Sequence, residues 1–298
     1  MPTRTTVSAI VTAYRRIDAT LMTIERLCDC APPPDEILVH VDGNEVACAD
    51  AIARRFPDVR VLVSATRIGP GGGRNLLLGQ ARHPLIASFD DDAYPIDRDY
   101  FARLIELFRA CPDAAIVTAR VFHVGEALEP AVRDARWVAD FCGGASAYRK
   151  DRFDTVGGYV PIPLAYGMEE VDLAIRLHAS GGRILETPWL RVFHDTDRQR
   201  HAEPDVTAAT ISNIAVLASL RYPVALWPVG ALQCLNRIKW LLTHGRQRGV
   251  ASGITQIPSE IRRYRQYRHR LSAAAVRSYL SLRRHPVTAE CPLRTEAA

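Results

Sequence analysis

The sequence has no CxxC pair, no zinc-type cysteine spacing, no basic-then-apolar leader and no apolar run that spans a bilayer. Each absence excludes something. Its seven cysteines, at 28, 30, 48, 111, 142, 234 and 291, are scattered and odd in number. Without a leader, that pattern argues for reduced thiols in a cytoplasmic protein, used as small core residues and not as ligands. The longest apolar stretches, 211–220 and 224–235, fall short of the roughly 18–20 residues that cross a membrane. The glycine run from Arg67 to Asn75 lacks the GK[ST] ending of a P-loop, and no GxGxxG follows the first apolar run.

What is present fits one large α/β domain, or one such domain with an appendage. The chain has 298 residues, 48% hydrophobic and 24% charged. Its charge is uneven. From Asn236 onward 13 Arg/Lys face 3 Asp/Glu, a net of +10. The whole chain carries +5, which leaves −5 on the first 235 residues. A mildly acidic body with a basic tail points to an anionic partner for the tail, either a membrane surface or nucleic acid.

Short apolar runs alternate with segments of helical spacing. Residues 7–14, 36–43 and 59–63 predict strands, and 17–30 and 47–56 predict helices. That alternation predicts a mostly parallel, doubly wound, Rossmann-like sheet, in which ligands bind beyond the carboxyl ends of the strands. Asp42 and the triplet Asp90-Asp91-Asp92 both fall at such ends. Crowded carboxylates call for a cation, and hard divalent ions prefer oxygen ligands. The competing reading is a solvated acidic loop that starts the next helix. Gly71-Gly72-Gly73-Arg74 precedes a helical stretch at 76–82. It suits either an anion site, since a guanidinium matches phosphate geometry, or a flexible turn.

Asp97 is placed to cap a helix running to about Arg109, and 114–124 predicts another strand. Small residues at Gly143-Gly144-Ala145-Ser146 either admit a substrate close to the backbone or make a tight turn. In 166–178, Val171, Ala174, Ile175 and His178 share one helical face, with Glu169 and Glu170 in the first turn. Acidic residues favour that position through the helix dipole alone. Asp172 and Arg176 are spaced for an i,i+4 pair with a structural role. Residues 183–186 and 189–193 predict a last pair of strand segments that ends at His194. Beyond Thr207 the texture turns helical. Apolar and basic residues interleave through Arg262–Arg270, as in a helix lying on an anionic leaflet or a basic face packed on the catalytic domain.

In this order the motifs resemble the family 2 glycosyltransferases, nucleotide-sugar enzymes with the GT-A fold. The likeness covers roughly residues 5–222 and rests on Val11-Thr12-Ala13-Tyr14, Val41-Asp42-Gly43-Asn44, the glycine run with Arg74-Asn75, Phe89-Asp90-Asp91-Asp92, Gly143 to Ser146, Glu169-Glu170-Val171-Asp172-Leu173 and His194. Ser212-Asn213 with Leu220-Arg221-Tyr222-Pro223 resembles the tail of the rhamnosyltransferase-like branch.

The resemblance implies a catalytic GT-A domain at 1–205, with nucleotide-sugar binding in about 1–95 and acceptor binding in about 96–205, and a helical, basic appendage at 206–298. It implies that Asp42 contacts the nucleotide base and Arg74 the diphosphate or base. Asp91 would face the ribose, Asp92 would ligate Mn²⁺ or Mg²⁺, and Asp90 would support them. Thr12, Tyr14 and Gly73 would line the nucleotide site. Glu170 would be the catalytic base and His194 a metal ligand or diphosphate contact. The family's usual Glu-Asp pair is Glu-Glu here, so the choice between Glu169 and Glu170 stays open.

The resemblance implies inverting, metal-dependent hexosyl or deoxyhexosyl transfer, and the missing QxxRW signature of processive synthases points to single addition. The donor would be a UDP-, dTDP- or GDP-linked sugar. The acceptor would be a hydroxyl on a glycan, a lipid-linked precursor or a small metabolite. No nucleic-acid partner is expected, and the basic tail would touch the inner face of an anionic membrane. Two rivals are a sugar nucleotidyltransferase and a non-catalytic membrane-surface protein with a decayed GT-A fold. The first lacks its glycine-rich signature in Val11 to Arg16.

Overall fold

In the computed structural model, residues 5–164, 166, 168–195 and 203–291 are described. The elements run β1 (Val7–Ala13), α1 (Ile17–Cys28), β2 (Glu36–Val41), α2 (Val46–Arg55), β3 (Arg60–Val63), α3 (Gly69–Gln80), β4 (Leu85–Asp90), β5 (Ala93–Pro95) and α4 (Tyr100–Ala110). They continue with β6 (Ala114–His123), β7 (Arg136–Val138), β8 (Ala145–Arg149), α5 (Lys150–Thr155), α6 (Glu169–Ala179) and β9 (Arg183–His194). The C-terminal part holds α7 (Pro204–Arg221), α8 (Trp227–Thr243), α9 (Val250–Arg263), α10 (Ala273–Arg284) and β10 (Val287–Thr288).

One sheet takes the order β10-β7-β9-β6-β8-β4-β1-β2-β3, with β5 attached to β9. Strands β3, β2, β1 and β4 are mutually parallel, and β8 is antiparallel to both β4 and β6. Side chains alternate across β1. Val7, Ala9, Val11 and Ala13 enter one apolar cluster with α1, α2 and α4, while Ile10 enters another with α3 and α6. Both faces are covered, which is the doubly wound arrangement that the strand–helix alternation predicts.

The second cluster does not stop at α6. Val216, Leu217 and Leu220 of α7 and Val276 and Tyr279 of α10 belong to it. The expected division at 205/206 thus falls at the start of a helix that shares its core with α6. Within the stretch 262–270, Tyr264 is buried, Arg268 donates to Ser219 Oγ at 2.9 Å and Tyr267 gives its carbonyl to Arg221. That basic stretch is docked on the end of α7.

Four local expectations change. The glycine run is helical from Gly69 and does not merely lead into a helix at 76. Pro70 sits in the first turn, where its missing N–H costs nothing. A Cβ on Gly71 would meet Glu169 Oε2 at 2.7 Å, so glycine lets α3 close on α6. Asp97 does not cap α4, which starts at Tyr100; its carboxylate is taken by Arg191 and by Arg103, the latter at 3.2 Å. The two last strand segments form the single strand β9, with an irregularity in its pairing to β6. Finally, Cys111 and Cys291 are not free thiols. The β10–β7 pairing returns the C-terminal segment to the end of α4, with a Cα–Cα distance of 5.7 Å, and the two are joined as a disulfide. The cysteines at 28, 30, 48, 142 and 234 are free.

Candidate active site

The carboxyl ends of β1, β2 and β4 meet at a cavity of about 360 Å³. Thr12, Tyr14, Asp42, Arg74, Asp90, Asp91, Glu169, Glu170 and His194 line it, so distant expected residues converge there. Gly73 lies one layer beneath, with the His40 ring against it. A second cavity of about 410 Å³, between α6, α10 and β7, has no carboxylate in its lining.

Asp42 closes β2 and turns its buried carboxylate onto the start of α3. It accepts from the backbone N–H groups of Ile68 and Gly69, each at 2.9 Å, and from Ser64 Oγ at 2.9 Å. The positive end of α3 therefore holds an anion, and that anion is a side chain of the protein.

Arg74 is the pivot of the site. It is 1% exposed, the largest fully buried side chain among the described residues. Its guanidinium reaches Asp90 Oδ1 at 2.5 Å, Glu169 Oε1 at 3.0 Å and Ser88 Oγ at 3.2 Å. Burial opposes its charge, but Asp90 and Glu169 outweigh that and hold it cationic, well above the ordinary arginine range. The close packing needs the small residues at the turn before β8. A Cβ on Gly143 would lie 2.8 Å from both Arg74 Cζ and Glu170 Oε1.

The consecutive glutamates have different surroundings. Glu169 is 4% exposed and spends one oxygen on Arg74. Glu170 is half-buried at the cavity wall, and no ion pair is recorded for it among the described residues. Burial raises the pKa of both carboxyls. Next to burial, Glu170 raises that of Glu169, and Arg74 draws that of Glu170 back down. Gly167, beside them in the sequence, lies outside the described residues.

Asp91 and Asp92 follow β4, are 2% and 1% exposed, and share Arg16. Asp91 also accepts from the Tyr14 N–H at 3.0 Å. Burial pushes the Asp91 carboxyl up to about 7 against the pull of Arg16. For Asp92, burial is outweighed by His194 and Arg16, so its carboxyl stays below the ordinary range. The β5–β9 pairing brings His194 beside it, with Nε2 at 3.1 Å from Oδ1. That Oδ1 is buried, and the His194 ring is its near neighbour in place of a full set of hydrogen-bond donors. An orphaned carboxylate oxygen beside an imidazole nitrogen fits a divalent cation. These two side chains alone make an incomplete ligand set.

Motif reasoning misses Arg16 and the Tyr148–Tyr159 pair, whose hydroxyls bond at 2.7 Å at the cluster around Arg74. A basic residue just past the first strand carries no spacing signal, and buried tyrosines look like ordinary core in sequence.

This sheet order, with carboxylates gathered at its strand ends, is that of the GT-A fold. Residues 8–154 match the family described as glycosyl transferase family 2, so that stretch carries a glycosyltransferase domain. Residues 127–201 also match the N-terminal domain of galactosyltransferase. No curated protein sequence matches the chain.

Solved structures share the fold. GalNAc-T7 with UDP, GalNAc and Mn²⁺ is 13% identical with a TM-score of 0.59, over 75% of this chain and 49% of its own. The chain thus spans about half the length of GalNAc-T7. The mannosyltransferase PcManGT from Pyrobaculum calidifontis, with GDP-Man and Mn²⁺, is 13% identical with a TM-score of 0.58, over 95% of this chain and 88% of its own. Residues 1–349 of S. aureus TarS with UDP-GlcNAc are 14% identical with a TM-score of 0.53, over 89% and 93%.

Proposed function

We propose that this glycosyltransferase moves a sugar from a nucleotide-diphosphate donor to an acceptor hydroxyl, with inversion and a divalent cation, one residue at a time. The observation that carries the reading is the division of labour around Arg74. Glu169 and Asp90 are bound to it, while Glu170 stands at the cavity wall with no ion pair among the described residues. That makes Glu170 the base. Burial raises its pKa, the direction that makes a carboxylate a stronger proton acceptor.

In the proposed reaction Glu170 removes the acceptor proton while the oxygen attacks the anomeric carbon from the face opposite the diphosphate. The new bond forms as the bond to diphosphate breaks, and no enzyme nucleophile takes part. A positioned base is worth about 10²–10⁴ in rate. Asp92 and His194 would hold the cation, which when bound stabilises charge on the departing diphosphate. Asp91, Thr12 and Tyr14 would form the ribose and base side of the donor site, and Asp42 would shape it by fixing the start of α3. The donors named in the solved relatives, UDP- and GDP-linked, define the first panel to try, with dTDP-linked sugars added.

The test is sugar transfer from that panel with and without Mn²⁺ or Mg²⁺. Transfer that survives both Glu170→Gln and Asp92→Asn overturns these roles. Release of pyrophosphate from a nucleoside triphosphate would favour a nucleotidyltransferase instead.

A further proposal concerns the partner of α8. No described helix is long and apolar enough to cross a membrane. Yet Leu232, Leu235 and Leu242 of α8 are 56%, 62% and 46% exposed, beside Trp227 and Trp240. From Val224 to Ser259 the chain has no acidic residue and carries Arg237, Lys239, Arg246 and Arg248. That combination fits the surface of an anionic bilayer.

A further inference from the structure

No motif marks Arg16, yet it holds the middle of the site. Arg15 turns the chain with φ 61°, a left-handed conformation uncommon outside glycine. Arg16 then precedes the first turn of α1, and its carbonyl accepts from Thr20 through both N–H and Oγ1, at 3.0 and 2.7 Å. This anchorage aims the guanidinium at β4. One terminal nitrogen bonds Asp91 Oδ1 and the other bonds Asp92 Oδ2. Arg16 Nε is buried and has no hydrogen-bond partner among the described residues. The side chain is about a third exposed and lines the cavity.

A divalent ion on Asp92 Oδ1 and a guanidinium on Asp92 Oδ2 would share one carboxylate. Two cations that close repel each other strongly in a buried site. A diphosphate would relieve that repulsion, because it neutralises both charges and matches a guanidinium's paired donors.

We propose that Arg16 is the resident counter-cation of the Asp91–Asp92 pair: it opposes the divalent ion until a donor diphosphate arrives, and then serves as a diphosphate contact. This rests on the nucleotide-sugar and metal reading above. It makes ion and nucleotide bind cooperatively, and that coupling must be equal in both directions. Arg16 acts here as a positioning residue for charge, while Asp92 and His194 remain the cation's own ligands.

The test is Mn²⁺ titration by calorimetry and by electron paramagnetic resonance, on the wild type and Arg16→Gln, alone and with saturating UDP or GDP. Without nucleotide, Arg16→Gln should bind Mn²⁺ about tenfold or more tighter than the wild type. With nucleotide, the wild type should tighten strongly and the variant little. Circular dichroism checks folding. Should Arg16→Gln not fold, Arg16→Ala also removes the charge, and its Mn²⁺ affinity without nucleotide should likewise exceed that of the wild type, whereas Arg16→Lys keeps the charge and should stay near the wild type. Mn²⁺ affinity of the charge-removing variant equal to or below that of the wild type without nucleotide overturns the role of Arg16 alone. No Mn²⁺ binding by any of the proteins, with or without nucleotide, overturns the metal reading and this proposal with it.

Discussion

Arg221 on α7 closes a two-armed ion pair on Asp172 of α6, at 2.5 Å to Oδ1 and 3.1 Å to Oδ2, with both side chains sealed from solvent. Arg176 holds the same carboxylate at 2.7 Å and donates to the carbonyls of Val156 and Gly158. Helix α7, the Glu169–Glu170 helix and the segment before it are thus tied at one buried anion. Breaking a buried pair by removing one partner leaves the other charge stranded, at about 3–5 kcal/mol. Asp172→Asn, which strands both arginines, should lower the unfolding free energy by about that amount in urea titrations, and Arg221→Ala, which leaves Arg176 on the carboxylate, by less. A loss for Asp172→Asn within the range of an exposed pair, under about 1 kcal/mol, would show the pair to be solvated in solution.

The adjacent glutamates should separate in kinetics. Glu170→Gln keeps shape and removes the proton acceptor, so kcat should fall by about 10²–10⁴ with KM for the donor nearly unchanged. Glu169→Gln weakens the hold on Arg74 instead, so it should cost stability and move KM as well. Equal kcat losses with unchanged KM in both would assign the pair one shared role.

The strands and their acidic ends were legible because short continuous apolar runs and proline breaks are local signals. The Asp172–Arg176 pair was legible for the same reason, since i,i+4 spacing fixes it. Arg221 was not, because its partner lies 49 residues away and nothing in its neighbourhood signals burial. The helical start of α3 was hidden because glycine propensity argues against helix, and only contact with Tyr159 and Glu169 rewards it. Cys111 and Cys291 stand 180 residues apart, so their approach depends on the sheet order alone.

Gly143 offers a test of how tightly the site is packed. Its missing Cβ leaves room for Arg74 and Glu170, each of which would sit 2.8 Å from a methyl group there. Gly143→Ala should therefore displace Glu170, the proposed base, cutting kcat by about tenfold to a hundredfold, because an ångström of misplacement can cost about 10² in rate. Gly79→Ala is the control, since beyond its own helix backbone and chain neighbours no atom of the described residues lies within 4 Å of its added Cβ; it should retain wild-type kcat.

Removal of the cation should be reversible. Chelation should abolish transfer, and Mn²⁺ should restore it. Asp92→Asn should weaken Mn²⁺ binding by at least about tenfold, the scale on which even outer partners of metal ligands act. Unchanged activity after exhaustive chelation would mean that Arg16 and Arg74 suffice as cations, and the metal role of Asp92 and His194 would fall.

The exposed face of α8 makes a prediction that point substitutions test better than truncation. Deleting the chain from Asn236 would remove Leu241, Val250, Val276 and Tyr279, all buried, and would expose the core around Ile211. Leu232→Glu with Leu235→Glu instead changes two side chains that already face solvent, so circular dichroism and melting should stay near wild type. The wild type should co-sediment with vesicles rich in phosphatidylglycerol. That binding should weaken as salt rises, because the screening length shrinks from about 10 Å at 0.1 M to about 3 Å at 1 M. The double substitution should abolish it, since it removes apolar anchors and adds charge repelled by the leaflet. Equal co-sedimentation of both proteins would mean the lipid contact lies elsewhere. A concentration-dependent dimer that the substitutions break, with no vesicle binding, would assign the same face to a second copy of the chain. The basic groups Arg237, Lys239, Arg246 and Arg248 weigh against that outcome, because pairing the face with itself brings like charges together.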